Sequence, residues 1–370
     1  MRGDAEETDA VFSYVSPAQR VPKDHPLRIV REITDAALRR LSRDFEGLYS
    51  KVGRPSVPPE RLLRALLLQY FYGVRSERLL MEQLDYNLLF RWFVGLGMDD
   101  QVWDATTFTK NRERLLSGDL AQRFLEEIVA EARSRGLTSD EHFSVDGTMV
   151  QAWAGQKSFK KKDGPPEGGS GGGRERDFRG EKRSNQTHQS TTDPQARLYR
   201  KAHSAESKLS YLGHVVIENR NGLVVGCMAT QATGRAEREA AVELMGNVPR
   251  GQRATLAADK AYDARSFIAA MRAQGVTPHV TQNAYPGRRS AIDKRTTRHA
   301  GYGISQLWRK SIEHPFGWLK AAAGIRQVKM KGLALVGWVF TPGHGRVRPH
   351  PNAAPLVPRL SDRTRIGCLQ

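Results

Sequence analysis

Cysteine is nearly missing from this 370-residue chain: it has Cys227 and Cys368, with no CxxC pair and no Cys/His cluster. That excludes a disulfide framework, a zinc finger and an iron–sulfur site. Long apolar runs are missing as well. The most apolar window, Leu62 to Val74, is broken by Arg64, Gln69 and Gly73, whereas a membrane-spanning helix needs ~20 apolar residues. The opening MRGDAEETDA is acidic and has no apolar core, which is not the pattern of a secretory signal. Acidic side chains are scarce, 40 against 58 lysines and arginines, and the formal charge is +18. Such a balance describes partners rather than fold. It favours a polyanion, nucleic acid first and an anionic membrane surface second. The expectation is a soluble, cytoplasmic, basic protein of about two domains, at ~150 residues each.

Helical spacing dominates the first third. Leu27, Val30, Ile33, Ala37, Leu41, Phe45 and Leu48 predict a helix over 24–48. Pro58-Pro59 opens a second, Glu60 to Tyr72, which Gly73 ends. Ser76 to Phe93 reads as a third helix. Thr107 to Arg135 reads as a fourth, with Lys110, Arg112 and Arg114 near its start. At residue 142 the period changes to two. HFSVDGTMV reads as a half-buried strand, and runs at 207–217 and 223–230 flank Asn219-Arg220-Asn221-Gly222, a hairpin signal. A helix at Ala236–Met245, a strand at Arg253–Ala258, a helix at Ala264–Gln274 and a strand at His279–Thr281 follow. This order predicts an α+β or α/β chain, a helical domain followed by a mixed sheet flanked by helices. Between the first two strands, Gly164–Gly173 holds six glycines and Lys157–Lys201 twelve basic residues. Such text cannot repay its ordering entropy. It is either a solvated linker or a basic arm along a nucleic-acid backbone. The predicted organisation is a disordered 1–23, a helical 24–138, a sheet domain 139–340 with a flexible basic insertion at 155–203, and a disordered 341–370.

Three acidic residues stand out. Asp146 interrupts an apolar strand, and Asp259 lies where a second strand exits, a position common in active sites. Asp263 reads as the N-cap of the helix that follows. Glu313 lies in YGISQLWRKSIEHPFGWLK, where Trp308, Ile312, Phe316 and Leu319 form an apolar face and Arg309, Glu313 and Lys320 stack beside it. Pro315 must kink or restart that helix. Singly, an exposed aspartate, a strand-end aspartate and an i,i+4 Arg–Glu pair explain these residues equally well. Together they suit two Mg²⁺ ions, which take hard oxygen ligands plus substrate phosphate and drive in-line phosphoryl displacement. Arg309 and Lys320 would then clamp phosphate.

The spacing Arg309-x3-Glu313-x6-Lys320 resembles part of the signature of the DDE transposases of bacterial insertion sequences, of the IS-four/IS-five type. VDGTMVQAWA around Asp146 and LAADKAYD around Asp259 are similar to that family's two aspartate strands, and GRPSVPPERLLRALLLQYFYG to its N-terminal domain. The likeness runs from about Val21 to Phe340. It departs at Gln306, where the family carries tyrosine. The resemblance implies an RNase H-like catalytic domain in which Asp146, Asp259 and Glu313 hold two Mg²⁺ (or Mn²⁺). It further implies cleavage at the element's ends, joining of the 3′ ends to target DNA, and a homodimer synapsing two terminal inverted repeats bound by basic residues of the first domain. That places it with bacterial DNA, without a membrane. A non-catalytic repressor or an RNase H-like nuclease without strand transfer are the competing readings.

The last thirty residues change character. TPGHGRVRPHPNAAPLVPRLSDRTRIGCLQ carries five prolines, five arginines and one acidic residue, which forbids a continuous helix. A frameshift near codon 341 is the expectation, with Leu333–Phe340 left poorly covered; a native basic tail is the alternative. Shifting the reading frame of the gene at that codon should restore an apolar, proline-free helical sequence. If neither other frame does so, the tail is native.

Overall fold

The computed structural model describes residues 15–49, 52–53, 56–116, 119–162, 183–201, 204–283, 289–321 and 323–341. The N-terminal part is all helix: α1 Pro17–Arg20, α2 Leu27–Arg40, α3 Ser42–Leu48, α4 Pro59–Phe71, α5 Glu77–Tyr86, α6 Leu88–Val94, α7 Ala105–Leu116 and α8 Leu120–Ser134. α1 lies inside the segment expected to be disordered. Three helices anticipated as single pieces are each broken in two, and the breaks have local causes. Leu41, at φ −84 and ψ 0, separates α2 from α3. Asn87 is extended, and its side chain accepts from the Leu89 and Phe90 amides, so it starts α6 instead of continuing α5. Asparagine favours caps over helix interiors because its amide competes for backbone groups. Asp119, at φ 48, precedes α8.

One side chain that helical periodicity does not reveal organises the end of this region. Arg91 is buried and donates to the carbonyls of Leu84, Asp85, Gly97, Met98 and Asp100. A guanidinium offers five donors in a fixed fork, so this one residue ties the end of α5 to the 97–100 loop.

The sheet domain opens with β1 His142–Gln151. Two short strands follow, β2 Phe159–Lys161 and β3 His188–Ser190, paired antiparallel with each other. Then come β4 Arg197–Tyr199, β5 Lys208–Glu218, β6 Val224–Gln231, α9 Ala236–Asn247, β7 Thr255–Ala258, α10 Arg265–Ala273 and β8 Thr277–Val280. β2, β3 and β4 lie inside the insertion expected to be flexible; residues 163–182, with its glycine run, fall outside the described residues. The main sheet runs β4-β5-β1-β7-β8, with β6 also on β5. The β1–β5 and β5–β6 pairs are antiparallel, and the β1–β7 and β7–β8 pairs parallel. Three antiparallel strands followed by two parallel ones, with a helix crossover before each parallel strand, make the RNase H-like arrangement.

The β5–β6 hairpin forms where Asn-Gly predicts it, with Gly222 at φ +71. Glu218, fully buried, secures the turn by accepting from the amides of Ser139, Arg220, Asn221 and Leu223. Helices α11 Lys294–Thr297, α12 Ala300–Trp308, α13 Glu313–Ala321 and α14 Leu333–Phe340 complete the fold. α14 is not poorly covered, contrary to expectation. It packs on β6, with Val336, Trp338 and Phe340 buried. Residues from Pro342 on, including the proline-rich tail, lie outside the described residues.

α14 reaches the sheet because β5 has no side chain at Gly213. A Cβ there would lie 2.2 Å from the Phe340 ring. Gly213→Ala should therefore destabilise the fold by about 1–3 kcal/mol, the usual cost of overpacking a filled core. Urea denaturation measures the loss, and adding Phe340→Leu should recover part of it.

Candidate active site

Parallel pairing sets the centre of the site. β1 and β7 are in register as His142 with Thr255, Phe143 with Leu256 and Ser144 with Ala257. Two residues further on, the same register brings Asp146 level with Asp259, just beyond the last residue of β7. Phe143 and Val145 turn into the core shared with Leu256, Ala258 and Tyr262, so alternation puts Asp146 on the opposite face of β1. The Asp146 carboxylate accepts from the Gly147 amide at 2.8 Å, and that of Asp259 from the Ala261 amide at 2.8 Å. Asp263 is not the helix N-cap; Ala264 occupies that place. The Asp263 carboxylate instead accepts from the amides of Asn283 and Ala291, both at 2.8 Å, and holds the loop after β8.

Burial pushes the Asp146 carboxyl up to about 6; nearby Asp259 adds to the rise, while the Gly147 amide, Arg309 and Lys201 oppose it. Lys320 also belongs to this neighbourhood. Burial lowers its pKa, with Lys201 and Arg326 adding to the effect and Asp146 opposing it. Arg309 starts a 3-10 turn, Arg309–Ile312, between α12 and α13. Its Nε is buried and has no hydrogen-bond partner among the described residues, as suits a guanidinium kept for an anionic ligand.

α12 carries Arg309 and is itself pinned to β8. Gln306, at the position where tyrosine was anticipated, accepts from Thr281 Oγ1 at 2.7 Å and donates to the His279 carbonyl. Tyr302 donates to the Val280 carbonyl at 2.9 Å. Pro315 does restart the helix: it falls in the first turn of α13, where its missing N–H costs nothing. Glu313, the first residue of α13, is exposed.

The structure thus brings together Asp146, Asp259, Arg309 and Lys320. It adds two residues that sequence reasoning missed, Lys201 and Glu237 of α9. Among the described residues, no three His, Cys, Asp or Glu side chains are arranged to hold one ion, so Glu313 does not complete such a set here. The hard carboxylate pair fits a divalent cation in its chemistry, since two carboxylates side by side repel unless a cation lies between them. The motifs could not reveal Glu237, because it lies outside all of them.

The three basic residues of α7 are placed differently from one another. Lys110 is exposed. Arg112 is half-buried and paired with Glu77, so it serves packing. Arg114 stacks on the Tyr49 ring, 5.0 Å from its centroid. No helix among the described residues is long and apolar enough to cross a membrane.

An RNase H-like sheet aligns two carboxylates beside Arg309 and Lys320, a set of groups chemically suited to phosphoryl transfer. The family model described as "Transposase DDE domain" matches residues 138–337, and "Transposase domain (DUF772)" matches 15–114. The chain belongs to the DDE transposase family: it is a DNA-cleaving and strand-transferring enzyme. A search of curated proteins gives no match. Among solved structures, the chain is similar to the piggyBac transposase in a synaptic complex with hairpin DNA, at 11% identity, covering 86% of this chain and 73% of that one, with a TM-score of 0.36. It is also similar to the Mos1 transposase in a paired-end complex with the left transposon end, at 10% identity, 82% and 93% coverage and a TM-score of 0.20. Likeness this distant supports no inference about this chain's site.

The raised pKa of Asp146 carries a stability consequence. Between pH 4 and 6 the folded chain holds a proton on Asp146 that the unfolded chain has released, so stability falls as pH rises through that window. In EDTA, Asp146→Asn should be more stable than the parent at pH 7 by roughly 1–3 kcal/mol, with no gain near pH 4. Urea melts at the two pH values check this.

Proposed function

We propose that this transposase acts on the ends of an insertion sequence of the IS-four/IS-five type, binding terminal inverted repeats and joining the freed 3′ ends to target DNA. The single observation that supports it most is the register that aligns Asp146 with Asp259 inside the region matched by the family model. In this reading Asp146, Asp259 and Glu313 hold two Mg²⁺, with Mn²⁺ as a substitute. When bound, such ions stabilise the attacking and leaving oxygens of the displacement.

The chain's own residues do the rest. Arg309, with its unpartnered Nε, grips the phosphate beside the scissile bond, and Lys320 adds a point charge. Lys110 and Arg114 lie on the helical region and meet the repeat's backbone. Arg112, paired with Glu77, supports the helix they stand on. Pairing two element ends requires two copies of the chain, so the working form is a homodimer on double-stranded DNA, in the bacterial cytoplasm with the nucleoid.

Asp146→Ala, Asp259→Ala and Glu313→Ala should each abolish nicking of a terminal-repeat duplex in Mg²⁺ while leaving gel-shift binding in place. Binding should weaken with salt by a slope of about −0.9 per phosphate neutralised. Nicking by the parent without joining of 3′ ends would make it a nuclease. A variant that nicks at the parent's rate would remove that residue from the metal set.

A further inference from the structure

One edge of β5 is covered by two strands in turn. Ser210 pairs with Gln151 of β1 on one side and with Arg197 of β4 on the other. From Tyr211 onward that second edge belongs to β6, beginning at Gln231. At this changeover the chain leaves β6 through Ala232, Thr233 and Gly234 to enter α9. A groove of about 540 Å³ opens between that turn and β4, within the ~300–1,000 Å³ of ordinary small-ligand sites.

Its walls are held in place by the fold. Asn185 donates to the Leu198 carbonyl at 2.9 Å and accepts from the Leu198 amide at 2.7 Å, so a side chain pairs with β4. Tyr199 packs on the cluster of Leu212, Ala232 and Ala236. Arg197 donates to the Pro194 carbonyl at 2.7 Å, which fixes its guanidinium. Arg200 is exposed.

The chemistry of the lining selects its occupant. Leu198, Tyr199 and Ala232 make it apolar, Arg183, Arg197 and Arg200 make it cationic, and among the described residues no acidic side chain lines it. An acidic peptide would satisfy the arginines and leave the apolar wall bare. A nucleotide meets both demands. Its phosphate matches a planar guanidinium, and its base offers a π-face to an aromatic ring. Bases inside a duplex are already stacked, so such a nucleotide comes from an unpaired strand. Lys201, next along the chain, acts through its charge on Asp146 and Lys320, so this end of β4 is within electrostatic reach of the carboxylate pair.

We propose that the groove between β4 and the β6–α9 turn holds one nucleotide of unpaired DNA, its phosphate on Arg200 and its base against Leu198 and Tyr199. The proposal rests on the DNA-processing reading given above. It adds to that reading a place for a strand separated from its partner.

Fluorescence anisotropy tests this with the full-length chain in EDTA, using a short labelled oligothymidylate and a blunt duplex of equal length. Arg200→Ala should weaken oligothymidylate binding and lessen its salt slope by about 0.7, the share of one phosphate on a single strand. Duplex binding should change little. Gly234→Trp narrows the groove without touching its charge. Gly234 is not among the positive-φ glycines, and a Cβ there meets nothing within 4 Å, so the fold accepts the substitution. It should weaken oligothymidylate binding by about fivefold or more, as loss of one stacked base does, at the parent's melting temperature. Should Gly234→Trp melt lower than the parent, Arg200→Ala alone decides. If the variants bind oligothymidylate as the parent does while the parent still binds duplex, this inference fails alone. A parent that binds neither DNA sinks the reading beneath it. Equal losses on single strand and duplex would make Arg200 part of a general basic surface and overturn the proposal. So would displacement of the oligothymidylate by oligoglutamate of equal length, or by thymidine monophosphate at equal nucleotide concentration.

Discussion

The parallel pairing of β1 with β7 is the constraint on which the site depends. Those strands stand more than a hundred residues apart in the chain, yet their register makes Asp146 and Asp259 neighbours. Parallel strands need a crossover, and here it is everything from β2 to α9. The antiparallel β5–β6 hairpin on one side of β1 and the parallel β7–β8 pair on the other leave β1 at the centre. A central strand is buried on both faces, and a carboxylate on it is desolvated. The raised pKa of Asp146 follows from that position.

The rest of the domain positions the basic groups against that pair. Arg309 could not reach the site from a mobile helix. Gln306, Tyr302 and the His279–Ser305 hydrogen bond at 2.7 Å fasten α12 to β8 before the 3-10 turn delivers the guanidinium. Gln306 shows how a departure from a family pattern is absorbed: an amide bridges Thr281 and the His279 carbonyl, an anchoring role within the fold. On the other face, α14 seals β5 and β6 through Phe340 over Gly213. Core continuity joins the helical region to this face, since α8 packs on β6 and α14 on α7.

Electrostatics divides the charged residues into two kinds. Arg91, Arg112 and Glu218 are taken up by the fold, with carbonyl, carboxylate and amide partners respectively. Arg309 instead keeps a buried Nε without a hydrogen-bond partner among the described residues. Charged side chains are seldom buried without partners, so groups left this way mark where a ligand is expected. A basic composition alone does not make that distinction. Of the three basic residues on α7, Lys110 and Arg114 are exposed, the latter over the Tyr49 ring, and only Arg112 is drawn into the protein.

Much of the fold was legible in the residues because its signals are local. Alternation gave β1, β5 and β6, Asn221-Gly222 gave the hairpin, and proline at the start and glycine at the end gave α4. The Arg309-x3-Glu313-x6-Lys320 spacing gave the class, and the family match bears it out. The helix breaks at Leu41, Asn87 and Asp119 were not legible, since apolar periodicity continues across them while the backbone obeys caps and turns. Nor was the order inside the basic insertion, where β2 and β3 pair with each other across some thirty residues and β4 pairs with β5. Glu237 and Lys201 carry no motif. They lie within electrostatic reach of the Asp146–Asp259 pair because the strand order folds remote segments together, which no local pattern reports.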